Sequence, residues 1–432
     1  MAVRLPSSAA ARRALVGLRR AAAVALLLTL AAPSAARADV VVTWMDLTEW
    51  ALGKAYEGDF AYRTAANTRA SAQVAIALFE AVNAVERRYA SYVGGITAPA
   101  GASADAAAAQ AGHDVLVALF PAQKQAFEEA LVIALAGVAD GAAKAAGIDV
   151  GKRAAAAALK RAAMPEGAAL TPYRPRTVPG AYIDPRLPSI LPFDLAMPPF
   201  VLARADELRP AGPPALTSER YARDLDEVRR LGAKESAERP REKTLLAPAL
   251  LAIDYAALLR DVAQRPGRTP AENARLYALV HMAAEDGWLA VMDAKMHFAT
   301  WRPITAIRNA DQDGNDRTTM VADWEPLLRT PTHPDYPCGH CVYAAAAATV
   351  LEAETGPAPE GGIRIHSLEH SPAHSLLVPT WKAFVDEMSM SRIYSGAHTR
   401  FANDDAEAIG REVARRALAT LMRPAAAPRA SR

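Results

Sequence analysis

Over residues 66–88 (ANTRASAQVAIALFEAVNAVER at its heart) apolar side chains recur three and four positions apart, the spacing of a helix with one buried face. Residues 103–118, 122–139 and 148–163 repeat that spacing, and Pro121 stands where proline opens a helix. Together they predict an N-terminal helical half over 39–164. Helices are predicted again over 218–232, with Ser218 as N-cap, over 244–264, and over 271–300, which Pro270 opens. After a loop at 309–337, an alanine-rich helix should run from about His340 to Thr355 and stop at Gly356. A last helix, from about Asp404 to Met422, closes the chain. No strand alternation and no repeat of fixed period appears. The expected class is all-α, a helical bundle, most simply two four-helix bundles.

Between Pro165 and Pro214 lie twelve of the 31 prolines. Proline lacks an amide proton and fixes φ, so no regular helix can pass through. Residues 165–217 are therefore expected to be a connector. Tyr173, Tyr182, Ile183, Leu187, Ile190, Leu191, Phe193 and Phe200 would seek burial, which predicts an ordered strap over the helices rather than a free linker. The C-terminal bundle then covers 218–423, followed by a short tail, 424–432.

Composition supports a packed globule, with 51% apolar residues and only 6% aromatic ones. The first 38 residues stand apart. Arg12 and Arg13 precede an uncharged apolar run, Ala21–Ala32, and Ala36-Arg37-Ala38 offers a small-x-small cleavage site, which together read as a signal peptide. Arg12-Arg13-Ala14-Leu15-Val16 also loosely fits a twin-arginine leader. The run is too short to span a bilayer, so an exported protein, periplasmic or secreted, without stable membrane insertion is expected. The leader carries six arginines and no acid, so its removal leaves 43 basic residues against 47 acidic ones. A general attraction to nucleic acid then has no support, and any positive field must be local. The two cysteines, Cys338 and Cys341, allow one local pair and exclude a disulfide framework.

Three segments in the last third carry candidate chemistry. Lys295 and Arg302 are seven apart, hence two turns along one helix face, with Pro303 expected to stop that helix beside the guanidinium. Pro337-Cys338-Gly339-His340 opens the alanine-rich helix, where unpaired N–H groups and the helix dipole attract oxyanions; Gly339 admits close approach and His340 is a candidate acid or base. Arg392 and His398 are six apart and cannot share a helix face, so a loop through Gly396 must join them. Singly, each segment also reads as surface charge or a capped helix with a solvated histidine.

In combination, Lys295-x6-Arg302-Pro303, Pro337-x-Gly339-His340 and Ser391-Arg392-x5-His398 resemble the three-part signature of vanadium-dependent haloperoxidases and the type 2 phosphatidic acid phosphatases. The stretches RASAQVAIALFEAVNAVERRYASY, PPALTSERYARDLDEVRRLG and WRPITAIRNADQDGN are similar to the long haloperoxidase branch rather than to the short membrane phosphatases. The resemblance implies that Lys295, Arg302 and Arg392 hold the oxygens of vanadate or phosphate, with Cys338 and Gly339 at the same anion. It implies that His398 bonds the metal or phosphorus and that His340 handles protons on the opposite side. Small substrates follow: hydrogen peroxide with a halide, or a phosphomonoester. A homodimer is compatible with it.

Two positions depart from that family. Cys338 stands where serine is usual, and a thiol is a weak donor that peroxide oxidises. The aspartate usual four residues after the last histidine is Ala402, which leaves Asp404 or Asp405 to orient His398. His333, at a place aromatic in chloroperoxidase-like members, points to bromide or iodide; a solvated loop histidine is the plain alternative. Cys338-Gly-His-Cys341 imitates a disulfide-isomerase motif without the strands such a fold needs. Asp311–Asp316 imitates a calcium loop, but Ala322 fills its twelfth place. His366, His370 and His374 fall four apart, yet Pro372 breaks any helix there. The expected function is thus a vanadate-dependent peroxidase, with an acid phosphatase working through a phosphohistidine, or a non-catalytic oxyanion binder, as alternatives.

Overall fold

A computed structural model describes residues 39–55, 60–164, 176–183, 196–367 and 375–425. The leader, Tyr173, Leu187, Ile190, Leu191 and Phe193 of the connector, and His370 and His374 lie outside the described residues. The first five helices are α1 (Val40–Ala55), α2 (Phe60–Glu86), α3 (Ala104–Leu119), α4 (Lys124–Ala136) and α5 (Ala142–Ala162). Next come α6 (Glu219–Leu231), α7 (Arg241–Leu251), α8 (Tyr255–Ala263), α9 (Pro270–Phe298) and α10 (Pro303–Arg308). The chain closes with α11 (Gly339–Thr355), α12 (Trp381–Tyr394) and α13 (Arg400–Thr420). The class is all-α, as the spacing implies.

Helix α9 is the axis. Pro270 sits in its first turn, and Thr269 and Glu272 close a reciprocal capping box. From Leu276 to Met292 every residue is buried, because α2, α11 and α13 cover it from different sides. A helix apolar all round belongs in a core, and here one hydrophobic cluster joins residues of the N-terminal helices with those of α9, α11 and α12. Alanine and glycine set the spacing. A Cβ on Gly410 of α13 would lie 2.3 Å from the Val342 carbonyl of α11. Gly410→Val should therefore cost about 1–3 kcal/mol in urea unfolding, since the backbones cannot separate without losing their packing.

The connector's described part is clasped onto α9. The Asp286 carboxylate accepts the backbone N–H groups of Phe200, Val201 and Leu202 at 2.6–2.7 Å. Arg69 donates to the Pro198 carbonyl and lies over the Phe200 ring, 4.4 Å from its centroid. Tyr182 and Phe200 are buried, as expected, whereas Ile183 is 49% exposed. Burial pushes the Asp286 carboxyl up from 3.8 to about 7, against the three N–H groups that favour its charge. A folded value above the unfolded one means stability fully present below about pH 4 and lost as pH rises through about 7. The unfolding midpoint should fall between pH 5 and pH 8, and less steeply in Asp286→Asn.

Several elements differ from the sequence reading. The helix expected over 244–264 is two, because Ile253 and Asp254 pair with Ser367 and His366 and Asp254 caps α8. Helix α1, helix α12 and a hairpin of β1 (Ile363–Ile365) with β2 (Leu376–Val378) were not anticipated. Three-residue strands are too short to show alternation. Helix α9 ends at Phe298, where Ala299 turns left-handed at φ 46°. Lys295 and Arg302 therefore do not share a helix face. Pro303 begins α10 instead of stopping α9, and Arg302 is the N-cap residue of α10.

Candidate functional site

The last turn of α9 supplies Lys295, fully buried. Its Nζ donates to the carbonyls of Pro334 (2.6 Å) and Asp335 (2.7 Å), tying α9 to the segment that enters α11. The left-handed Ala299 turns the chain so that Arg302 arrives beside it from the head of α10. Arg302 is 1% exposed and uses its whole fork: Nε donates to the His333 carbonyl (2.6 Å) and Nη1 to the Ala397 carbonyl (2.8 Å). Its Nη2 donates to the His333 ring (3.0 Å).

Helix α12 delivers Arg392 from its final turn. The chain then reverses at Gly396, whose φ of 73° suits glycine and whose absent side chain would otherwise meet the Gly232 carbonyl at 2.6 Å. The N–H groups of Ala397 and His398 fold back onto the Arg392 carbonyl, and so bring arginine and histidine together. Arg392, 1% exposed, donates to Ser391 Oγ (3.0 Å) and to the Ala247 carbonyl of α7 (3.2 Å).

His398 is fixed by a residue the sequence reading passed over. Its Nδ1 donates to Asp335 Oδ1 at 2.6 Å, and Thr399 Oγ1 donates to Asp335 Oδ2 at 2.9 Å. That hydrogen bond assigns the tautomer and leaves the Nε2 lone pair 3.2 Å from Arg302 Nη1. Asp404 and Asp405 do not orient His398: Asp404 is half-exposed beside Arg220, and Asp405 accepts the Tyr336 hydroxyl. The carboxylate comes from before the second motif rather than after the third. Its only sequence signal was an acid three residues ahead of an anion-attracting helix start.

Helix α11 opens on Cys338, whose sulfur accepts the Cys341 N–H at 3.3 Å and touches the His398 ring. Both thiols are free and fully buried. Gly339 is required by packing as well as by any anion, since a Cβ there would lie 2.7 Å from the Trp288 ring. His340, half-buried, donates from Nε2 to the Leu251 carbonyl at 3.3 Å, which leaves its Nδ1 as an acceptor. The eight residues singled out from the sequence thus lie in one region. His333 is no solvated loop residue; its ring packs against the Arg302 fork.

The charges in this region do not balance. Lys295, Arg302 and Arg392 are buried together, and among the described residues the one carboxylate ion-paired with them is Asp335, 3.9 Å from Arg302. Burial, then the Arg302 charge, drives the Lys295 ammonium well below its ordinary value. Burial, then the Arg392 charge, takes His340 down to about 3, and burial likewise holds His398 at about 3. Burial raises Asp335 to about 6 against the pull of Arg302 and Lys295. Such desolvated positive charge is stabilised by an anion, and its donor set of two guanidiniums, an ammonium and a helix N-terminus suits a tetrahedral or bipyramidal oxyanion. Elsewhere, Asp313 accepts Asn315 N–H and Thr318 OH within a plain turn. No cluster of three metal-ligating side chains occurs among the described residues.

Known proteins share this fold. Residues 275–426 match the family model of the VCPO second helical-bundle domain. No curated protein sequence matches the chain. Among solved structures, the first bacterial vanadium-dependent iodoperoxidase superposes with a TM-score of 0.71 at 21% identity, covering 90% of this chain and 98% of that one. An apo-type bacterial vanadium-dependent chloroperoxidase gives 0.65 at 17% identity (83% and 93% covered), and a holo-type one gives 0.64 at 18% (87% and 91%). Residues 275–426 are thus similar to the VCPO second helical-bundle domain, and the chain as a whole has the fold of the bacterial vanadium-dependent haloperoxidases.

Proposed function

We propose that this protein is an exported, vanadate-dependent peroxidase that oxidises a halide with hydrogen peroxide. The observation that carries the reading is the excess of buried cation around a histidine whose Nδ1 is locked by Asp335. Lys295, Arg302, Arg392 and the N–H of Gly339 would hold the oxygens of vanadate, and Nε2 of His398 would bond its metal. Bound vanadate would supply the Lewis acid that activates peroxide. The chain's own residues supply the rest. Asp335 keeps the His398 lone pair aimed inward, and the arginine forks fix charge without needing to reorganise. His340, with Nδ1 open, is placed to take a proton from incoming peroxide and return it to the departing oxygen once a bound anion offsets the Arg392 charge that, after burial, keeps it neutral. His333 lines the site with a neutral ring, which favours bromide or iodide over chloride. Export rests on the arginine, apolar run and Ala-Arg-Ala order of residues 1–38. Among the described residues no helix is long and apolar enough to cross a membrane.

The test is vanadate loading of the purified protein, read by thermal shift and by peroxide-dependent oxidation of iodide, bromide and chloride. At a hundredfold excess over Kd an anion held only by the folded state adds about 2.7 kcal/mol. A raised midpoint with no halide oxidation would remove the peroxidase reading. The Asp335–His398 pair equally suits a nucleophilic histidine, so hydrolysis of an aryl phosphate without vanadate would favour the phosphatase.

A further inference from the structure

The dithiol at the head of α11 is unused by the chemistry above. Cys338 and Cys341 sit one turn apart, both fully buried and both reduced, with the Cys338 sulfur against His398. Their surroundings are unequal. The Cys338 sulfur accepts the Cys341 N–H (3.3 Å), whereas the Cys341 thiol donates to Asn403 Oδ1 at 3.3 Å, and Asn403 is itself anchored through Nδ2 on the Ser389 carbonyl (2.9 Å). Cys341 is therefore held by a side chain of α13, while Cys338 stands at the cap of α11. Three residues apart at a helix start, the two sulfurs lie within reach of one another, so a disulfide can close without moving the helix. The way in is the one that peroxide needs in the reading above, on which this inference rests for access: His333 and His340 of that site are only half-buried.

We propose that Cys338 and Cys341 form a peroxidatic and a resolving thiol, giving the protein a vanadate-independent thiol peroxidase activity in the same cavity. The Cys338 sulfur attacks one oxygen of hydrogen peroxide. The O–O bond breaks, the departing hydroxide takes the thiol proton to become water, and Cys338 becomes a sulfenic acid. The Cys341 sulfur then attacks the Cys338 sulfur, the sulfenyl hydroxide leaves with the Cys341 proton as a second water, and the S–S bond forms. The two electrons pass from the thiol pair to the peroxide, and an external dithiol restores both thiols. Asn403 fixes the order, because it engages the Cys341 thiol and leaves the Cys338 sulfur to meet the oxidant.

The experiment uses the full-length protein, freed of vanadate by dialysis against a chelator and reduced. Hydrogen peroxide is added without halide, and thiols are counted after denaturation alongside intact mass. The expected result is the loss of both thiols per peroxide consumed, with a mass lower by two hydrogens. With dithiothreitol in excess, turnover should exceed that of Cys338→Ser by about tenfold or more. In Cys341→Ser, a sulfenic acid on Cys338 should be trapped by dimedone. Thiols that persist in the wild type, or that go to sulfinic acid with no disulfide, would overturn the proposal, and the wild-type measurement decides this even if a variant fails to fold. Halide oxidation by the vanadate-loaded wild type is measured separately, so loss of either activity is distinguishable from loss of the other.

Discussion

Asp335→Asn is expected to lower peroxide-dependent halide oxidation about 100-fold or more with vanadate saturating. The amide can meet His398 Nδ1 either way round. If its NH2 faces the ring, the proton moves to Nε2, the nitrogen now 3.2 Å from Arg302 Nη1, and the lone pair leaves the cavity. The substitution also removes the carboxylate charge 3.9 Å from Arg302, so the site becomes still more positive. Vanadate affinity and turnover should therefore separate: binding changes modestly while kcat falls. Steady-state kinetics and a vanadate titration check this together. Unchanged kcat would mean that Asp335 serves the fold alone.

The second large effect is at Arg302. Its side chain donates to two carbonyls and the His333 ring, and faces Nε2 of His398. Arg302→Ala should cut activity by about 10²–10³-fold, the usual loss for one donor at an oxyanion. Arg302→Lys should not restore it, because an ammonium cannot reach those acceptors as a planar fork does. Stability without anion should change little or rise, since a desolvated charge is removed. The vanadate-induced thermal shift should shrink. A variant that keeps the full shift would place the anion elsewhere.

The helical class was legible in the sequence because α2, α3, α5, α6 and α9 each carry three-and-four spacing over several turns. Their boundaries were less so. Nothing local announces that Ala299 turns left-handed, so Lys295 and Arg302 looked like neighbours on one helix. The true reason they meet is tertiary: both grip the 333–335 segment, at Pro334, Asp335 and His333 carbonyls. Helix α12 was missed although it carries Arg392; its tryptophan, phenylalanine and methionines face the core without a long amphipathic run. The candidate site was readable wherever charge and histidine stood in motif order. Asp335 was not, because an orienting carboxylate needs only to arrive within hydrogen-bond reach, and no fixed spacing to His398 records that.

The burial of α9 from every side has a kinetic meaning as well. Amide protons between Leu276 and Met292 should exchange with solvent only through global opening, whereas those of α7, which offers a carbonyl to Arg392 and another to His340, should exchange through smaller fluctuations. Lys295 hangs from the end of that slow helix, whereas Arg392 and His340 lean on a quicker one. One side of the cavity then keeps its shape while the other breathes, which is how a deeply desolvated site can still exchange small solutes on the timescale of turnover.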